Sequence, residues 1–247
     1  MKKVIVIPAR LDSSRLPKKV LLDLKGKTVI QRVYEQCLKV KNIDGVYIAT
    51  DSPEIEGVCR SFTNHIILTK STHQSGTDRI GEAVAGIDCD VVVNVQGDEP
   101  FIDPNLIEEL VHSFEDDQVS MVSAMSKIEN IKNLQDPNVV KVVVDTQNNA
   151  IYFSRAPIPF PRDHQEIIHS NEELKKHNFF RHIGIYGYQK DFLAKYIKMN
   201  QTNLEKLEKL EQLRVIENGF KIKMIEAATS LTGIDTQEDY EEALKKY

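Results

Sequence analysis

Four short apolar runs in the first hundred residues constrain this chain more than any other feature. They are Val4–Ile7, Val46–Ala49, Ile66–Leu68 and Val91–Val95. Each is too short for a helix core and rich in β-branched residues, so each reads as a buried strand. Between them the period changes from two to 3.6. In residues 28–41, Val29, Ile30, Val33, Tyr34, Cys37 and Leu38 fall on one helical face, and Thr77–Ile87 aligns Ile80, Ala83, Val84 and Ile87. Pro53 and Pro104 suit the first turn of two further helices. Strands alternating with helices predict βαβ units, and therefore an α/β fold with a mostly parallel central sheet and helices on both faces.

The second half changes character. Met121–Met125, Val139–Val144, Ile151–Phe153, His182–Tyr188 and Phe220–Ile225 read as strands, and 190–199, 203–218 and Thr236–Tyr247 as helices. Ala156-Pro157-Ile158-Pro159-Phe160-Pro161 is too dense in proline for a central strand. The polar stretch 163–178 reads as an exposed excursion. With no repeat and no low-complexity linker, residues 1–247 are expected to form a single domain with a lobed second half.

Composition narrows the classes of function. A net charge of −5 argues against a duplex-DNA binder relying on bulk charge, and no nucleic-acid partner is expected. No run of about 18 apolar residues exists, so no membrane insertion is expected. Cys37, Cys59 and Cys89 are odd in number and lack a Cys-x-x-Cys pair, which predicts free thiols of a cytoplasmic protein.

Three loops carry candidate chemistry. After the first strand, Arg10, Arg15, Lys18 and Lys19 fall within ten residues, interleaved with Ser13 and Ser14. Cations and backbone N–H groups at a strand's carboxyl end suit a polyphosphate. The loop is neither a Walker loop nor the Gly-x-Gly-x-x-Gly fingerprint, which counts against a P-loop NTPase and an NAD enzyme. Ser75-Gly76-Thr77-Asp78-Arg79 precedes a helix, where small residues permit close backbone approach to a nucleotide; an ordinary N-cap at Ser75 or Thr77 is the alternative. Asn94-Val-Gln96-Gly-Asp98-Glu-Pro100 follows the fourth strand, placing Asp98 where open α/β sheets bind ligands and where a hard cation such as Mg²⁺ is held. Asp235, before the last helix, is either a second carboxylate for that cation or a helix cap.

These loops belong to seven blocks in one order along the chain. They are Pro8-Ala-Arg-…-Ser14-Arg15-Leu16-Pro17-x-Lys19, His73-Gln-Ser-Gly-Thr-Asp-Arg79, Val95-Gln-Gly-Asp-Glu-Pro100, Tyr152-Phe-Ser-Arg155-Ala-x-Ile-Pro159, Arg181-His-x-Gly-Ile-Tyr-Gly-Tyr188, Leu210-Glu-Gln-Leu-Arg214 and Thr232-Gly-Ile-Asp235-Thr. The set resembles the 3-deoxy-manno-octulosonate (Kdo) cytidylyltransferases. The resemblance implies a Rossmann-like nucleotide-diphospho-sugar transferase fold, with a nucleotide-binding part over roughly 1–125 and a sugar-binding and dimer-contact part over roughly 126–247. It implies CTP and Kdo as substrates, Mg²⁺ as cofactor, a homodimer, and release of pyrophosphate with CMP-Kdo for lipopolysaccharide biosynthesis. Segment 156–161 with 163–178 is the candidate dimer contact.

By matching position, Ala9, Arg10, Arg15, Lys19, Ser75, Gly76, Thr77 and Arg79 would bind the nucleotide. Gln96, Arg155, His182, Tyr186, Glu211 and Gln212 would line the sugar pocket, and Asp98 and Asp235 would hold the metal. Arg10, Lys19, Asp98 and Asp235 would carry the catalysis. These types suit an acidic, hydroxyl-rich sugar, which needs a cationic anchor and several hydrogen-bonding partners. His182 and Tyr186 share one strand face because their separation is even, although plain core packing accounts for the same spacing. Phosphoryl transfer of this kind asks the protein mainly for positioning and charge neutralisation. An aminated Kdo analogue as substrate and a regulator that has lost catalysis are the alternatives; both metal carboxylates and Lys19 are retained, against the regulator. Lys18 stands where the family's motif has glycine, which questions whether position 18 keeps φ > 0.

Overall fold

A computed structural model describes every residue except 12–14, 74, 164–166, 168 and 229–232. Ser13, Ser14, Gln74 and Thr232 of the quoted motifs therefore lie outside the described residues. The strands are β1 (Lys3–Ala9), β2 (Gly45–Thr50), β3 (Ile66–Leu68), β4 (Val91–Asn94), β5 (Met121–Lys127), β6 (Lys141–Val144), β7 (Ala150–Ser154), β8 (Phe180–Gln189) and β9 (Lys223–Glu226). The helices are α1 (Val29–Cys37), α2 (Pro53–Cys59), α3 (Gly76–Val84), α4 (Pro104–His112), α5 (Ile131–Gln135), α6 (Asn171–Lys175), α7 (Lys190–Tyr196), α8 (Asn203–Glu208), α9 (Leu213–Glu217) and α10 (Gln237–Lys246).

Two compact units divide the chain. Unit 1 comprises Met1–His112, Ile185–Ile197 and Leu231–Tyr247; unit 2 comprises Ser113–Gly184 and Lys198–Ser230. Sequence order is thus not unit order: the last helix, with Asp235 before it, belongs with the first strands.

In unit 1 the strands lie in the order β3-β2-β1-β4, joined by parallel pairings, and the end of β8 adds antiparallel to β4. The four apolar runs become the four parallel strands. All of β4 is buried, as expected of a strand covered on both sides. Helix α1 buries the predicted stripe of Val29, Ile30, Val33, Tyr34 and Cys37, and Thr28 caps it by accepting the Gln31 N–H. The order runs outward from β1 to β2 and β3 on one side and to β4 on the other. Such a reversal opens a crevice at the strands' carboxyl ends, here the loops after β1 and β4.

Unit 2 pairs β5 with β9 in parallel and β6 antiparallel with both β7 and the start of β8. Two expectations need correction here. The helix predicted over 203–218 is two helices, because Lys209 adopts the left-handed conformation (φ 55°) and stops α8. A bidentate ion pair holds the resulting corner: Arg214 on α9 donates to Glu205 on α8 at 2.5 and 2.8 Å. The stretch 163–178 is not simply exposed. Ile167 and Leu174, with Phe179 just beyond, are buried in a cluster with Ile128 and Leu134, since α5 and α6 each contribute a leucine to it. The three cysteines are buried and free, and burial pushes the Cys59 thiol up to about 12. Among the described residues no helix is long and apolar enough to cross a membrane.

Candidate active site

Asp98 and Asp235 are separated by 137 positions (235 − 98), yet unit 1 brings them to one point. The Ile234 N–H donates to the Asp98 carbonyl at 2.9 Å, which lays the segment before α10 against the loop after β4. Ile234 is buried with Leu16, Leu24, Val29 and Ala243, so the same apolar cluster anchors the cationic loop through Leu16. Arg15 and Lys19, flanking Leu16 in that loop, then meet the carboxylates. The Lys19 ammonium bridges Asp98 Oδ2 and Asp235 Oδ1, the latter at 2.7 Å, and Arg15 reaches Asp235 Oδ2 at 3.1 Å.

The helix-cap alternative for Asp235 fails. Thr236 caps α10 and forms a capping box with Asp239, which also accepts the Asp235 N–H at 3.0 Å. The Asp235 carboxylate is thereby left to the cations. Burial is the largest influence on it and would raise its pKa, but Lys19 and Arg15 outweigh burial and hold it below the usual carboxylate range. Burial likewise works to lower the Lys19 pKa, and Asp98 and Asp235 together lift it above the ordinary lysine value. The carboxylates are thus preset around one positive charge. Among the described residues no group of three or more His, Cys, Asp or Glu is arranged to hold a metal. Two carboxylates are nevertheless what Mg²⁺ takes from a protein when substrate phosphates complete its shell, so the pair fits such an ion.

Lys18 keeps the left-handed geometry in the absence of glycine, at φ 54° and ψ 27°. Its ammonium turns to Glu54 in the first turn of α2, at 2.7 and 2.9 Å. The charge added at position 18 is therefore already paired.

Beside this hub lies a small cleft lined by Pro8, Ala9 and Arg10 from the end of β1, His73, Ser75, Gly76 and Arg79 around the start of α3, and Gln96 after β4. Ser75 is the α3 N-cap, accepting the Asp78 N–H at 3.1 Å, so the cap and the nucleotide-facing readings of this residue coincide in one place. Thr77 and Arg79 are buried. The Arg79 guanidinium contacts Asp51 Oδ2 at 3.0 Å and donates to Thr69 Oγ1 at 2.5 Å, tying α3 to the ends of β2 and β3. Gln96, assigned by resemblance to the sugar, donates to Asn94 at 2.8 Å, and Asn94 faces Tyr186 across the β4–β8 pairing. Gly97 is needed for its lack of a side chain: a Cβ there would lie 3.0 Å from the Pro8 carbonyl. His73, bound to Glu82, also lines the cleft; its role was not read from the sequence, although it stands in a quoted motif.

Unit 2 gathers a second polar cluster. His182 is hydrogen-bonded to Ser123 Oγ at 2.9 Å and to Gln212 Nε2 at 3.4 Å. Burial, with Arg181 adding to it, pushes its pKa down to about 3, so the imidazole is neutral. Gln212 is buried and Glu211, in the same α8–α9 corner, is partly exposed. The Arg155 guanidinium is held by carbonyls, Glu208 O at 2.8 Å, Pro137 O at 3.0 Å and Lys209 O at 3.5 Å. The Glu208 carboxylate accepts the Ser154 hydroxyl at 2.6 Å and the Arg155 N–H at 3.0 Å. Nothing in the sequence marked Glu208, because a helix-end glutamate is ordinary. The site residues therefore fall as two groups: the nucleotide and metal candidates with Gln96 and Tyr186 in unit 1, and Arg155, His182, Glu211 and Gln212 in unit 2.

Comparison with known proteins gives this arrangement a context. The cytidylyltransferase family matches residues 4–224. The 3-deoxy-manno-octulosonate cytidylyltransferase of Francisella tularensis subsp. holarctica (strain FTNF002-00 / FTA) is 48% identical over 248 residues, covering 98% of this chain and 97% of its own. That of Syntrophotalea carbinolica is 46% identical over 235 residues, covering 95% and 94%. Among solved structures, CMP:2-keto-3-deoxy-manno-octonic acid synthetase complexed with CTP superposes with a TM-score of 0.92 at 39% identity, covering 100% of this chain and 98% of that one. With its switch-point carboxylates, its cationic loop and these relatives over nearly its whole length, the chain belongs to the cytidylyltransferase family.

Proposed function

We propose that this chain is a 3-deoxy-manno-octulosonate cytidylyltransferase, joining CTP and Kdo into CMP-Kdo with release of pyrophosphate for lipopolysaccharide assembly. The observation that carries the proposal is the convergence of Asp98 and Asp235 on Lys19 at the switch point, beside the cleft at the start of α3. The anomeric hydroxyl oxygen attacks the α-phosphorus of CTP, the bond from that phosphorus to the oxygen bridging to the β-phosphate breaks so that pyrophosphate leaves with the electron pair, and the hydroxyl proton passes to solvent. Arg10, Arg15 and Lys19 hold the triphosphate and stabilise the charge that grows on pyrophosphate. Lys19 exchanges its carboxylate partners for phosphate oxygens, freeing Asp98 and Asp235. Those two carboxylates would hold Mg²⁺, which when bound neutralises phosphate charge and lowers the pKa of the sugar hydroxyl.

Ala9, Ser75, Gly76 and Thr77 frame the nucleoside through backbone and hydroxyl groups. Arg79, which also lines the cleft, supports that frame by fixing α3. The resemblance assigns the sugar to Arg155, His182, Glu211 and Gln212 of unit 2 and to Gln96 and Tyr186 of unit 1. The neutral His182, with one nitrogen on Ser123 and the other on Gln212, holds the Gln212 amide in place, and Arg155 supplies the cation for the carboxylate. The enzyme acts as a homodimer, for which Phe160, 68% exposed in the proline-rich segment, is a candidate contact. It works in the cytoplasm, a reducing compartment compatible with three buried free thiols.

The test is pyrophosphate release with each of the four nucleoside triphosphates, Mg²⁺ and Kdo. Product should form chiefly with CTP. Preference for another nucleotide, or no product with Kdo, overturns the proposal.

A further inference from the structure

Lys141 is fully buried on β6, and none of the roles above uses it. Burying an ammonium costs several kcal/mol unless every N–H finds an acceptor. Here all three do. Lys141 Nζ donates to the carbonyls of Asp136 at 2.9 Å, Val139 at 2.6 Å and Arg155 at 2.6 Å. None of these acceptors is a carboxylate, so the hydrogen bonds are satisfied while the positive charge stays. A methionine would fill the same space without that desolvation cost but would leave the three carbonyls without this donor, so packing alone does not account for the lysine.

The neighbouring cation is held in the same way. Arg155 takes Pro137 O, within the turn whose Asp136 and Val139 carbonyls serve Lys141. One turn thus wraps two cations, and the Arg155 backbone is clamped from both sides. Lys141 holds its carbonyl and the Glu208 carboxylate holds its N–H. With the burial of Lys141 comes a lowered pKa, caused first by desolvation, opposed by the Asp136 and Glu208 carboxylates and reinforced by Arg155, the sign expected of a charge kept in place at a cost.

We propose that Lys141 is a positioning residue for the acidic sugar: it fixes Arg155 and adds a buried positive charge behind it, so that together they attract and orient the sugar's carboxylate. The inference rests on the Kdo reading above, and its test separates the two. Steady-state kinetics with CTP, Mg²⁺ and Kdo are measured for the parent, Lys141→Met and Lys141→Gln. Glutamine keeps two N–H donors for the carbonyls and removes the charge. Both variants should raise KM for Kdo by about tenfold, the loss of one charge-assisted contact, with KM for CTP unchanged. A Kdo analogue with the carboxylate reduced to an alcohol should bind parent and variants alike.

If the parent makes no product, the Kdo reading falls and the inference with it. If the parent turns over and folded variants keep the parent's KM for Kdo, or raise both KM values equally, the inference alone falls. Should neither variant fold, the parent carries the test through its ¹⁵N-labelled lysine signals. With CTP bound in EDTA, added Kdo should shift the protected Lys141 Nζ resonance. An unmoved resonance overturns the inference.

Discussion

Lys19→Met probes the architecture of the hub, because one ammonium holds two carboxylates together. The Lys19, Asp98 and Asp235 side chains are 15%, 22% and 48% exposed, so the triad is neither a surface pair nor a buried one. Removing one partner of a buried pair costs about 3–5 kcal/mol and an exposed pair contributes about 0–1, which places this loss near 2 kcal/mol. For a chain of this length that lowers Tm by about 4–8 °C. The pH dependence fixes the sign. The depressed Asp235 pKa means its contribution is present above the unfolded carboxylate pKa and is lost as pH falls through the lower folded value. The raised Lys19 pKa means its contribution is complete below the unfolded lysine pKa and is lost as pH rises through the folded value. Parent and variant should therefore differ most near neutrality. Calorimetry in EDTA measures the difference, and Mg²⁺ extends it. In the variant Asp98 loses its lysine and Asp235 keeps only Arg15, so a metal concentration ten times Kd should restore about 1.4 kcal/mol, and the parent should gain less because Lys19 competes. A variant that melts within about 1 °C of the parent, or an equal Mg²⁺ effect on both, would refute the reasoning.

Other consequences are equally direct. At position 18 the left-handed backbone should make Lys18→Val cost about 2 kcal/mol or more while Lys18→Gly melts near the parent; a fully stable valine variant would contradict φ 54°. Gly97→Ala should lower turnover more than Gly233→Ala, since the first meets the Pro8 backbone carbonyl and the second only the tip of Glu99; equal effects would show that the loop after β4 yields freely. His182, with a folded pKa near 3 against 6.5 for the free group, should stay neutral in an NMR titration down to pH 4. Because the unfolded chain takes up that proton first, stability should fall by about 2 kcal/mol between neutrality and pH 5 through this group, and a midpoint near 6 would contradict its burial.

The strands and most helices were legible because the apolar period is set by burial, and burial by the layers. The start of α3 and the strand-end place of Asp98 followed from the same logic. Tertiary contacts were not legible. Nothing in the sequence says that Ile234 donates to the Asp98 carbonyl, yet that bond decides that Asp235 meets Lys19. The break at Lys209 was invisible because lysine is a good helix former with no mark of a left-handed stop. Arg79, read as part of the segment that frames the nucleotide, lines the cleft and is also a buried strut to Asp51, a second role that an arginine in a motif does not announce. Lys141 carries no mark beyond its place in the Val139–Val144 run, because carbonyl cages leave no sequence signature.

The central claim is that Asp98 and Asp235 work as a pair in moving the CTP α-phosphorus onto the sugar. Single-turnover pyrophosphate release by Asp98→Asn, with CTP, Kdo and saturating Mg²⁺, tests it most directly. The rate should fall by about a hundredfold or more, the loss of one electrostatic element at the reacting centre, with circular dichroism and melting close to the parent's. Near-parental release from a folded Asp98→Asn enzyme would contradict the account.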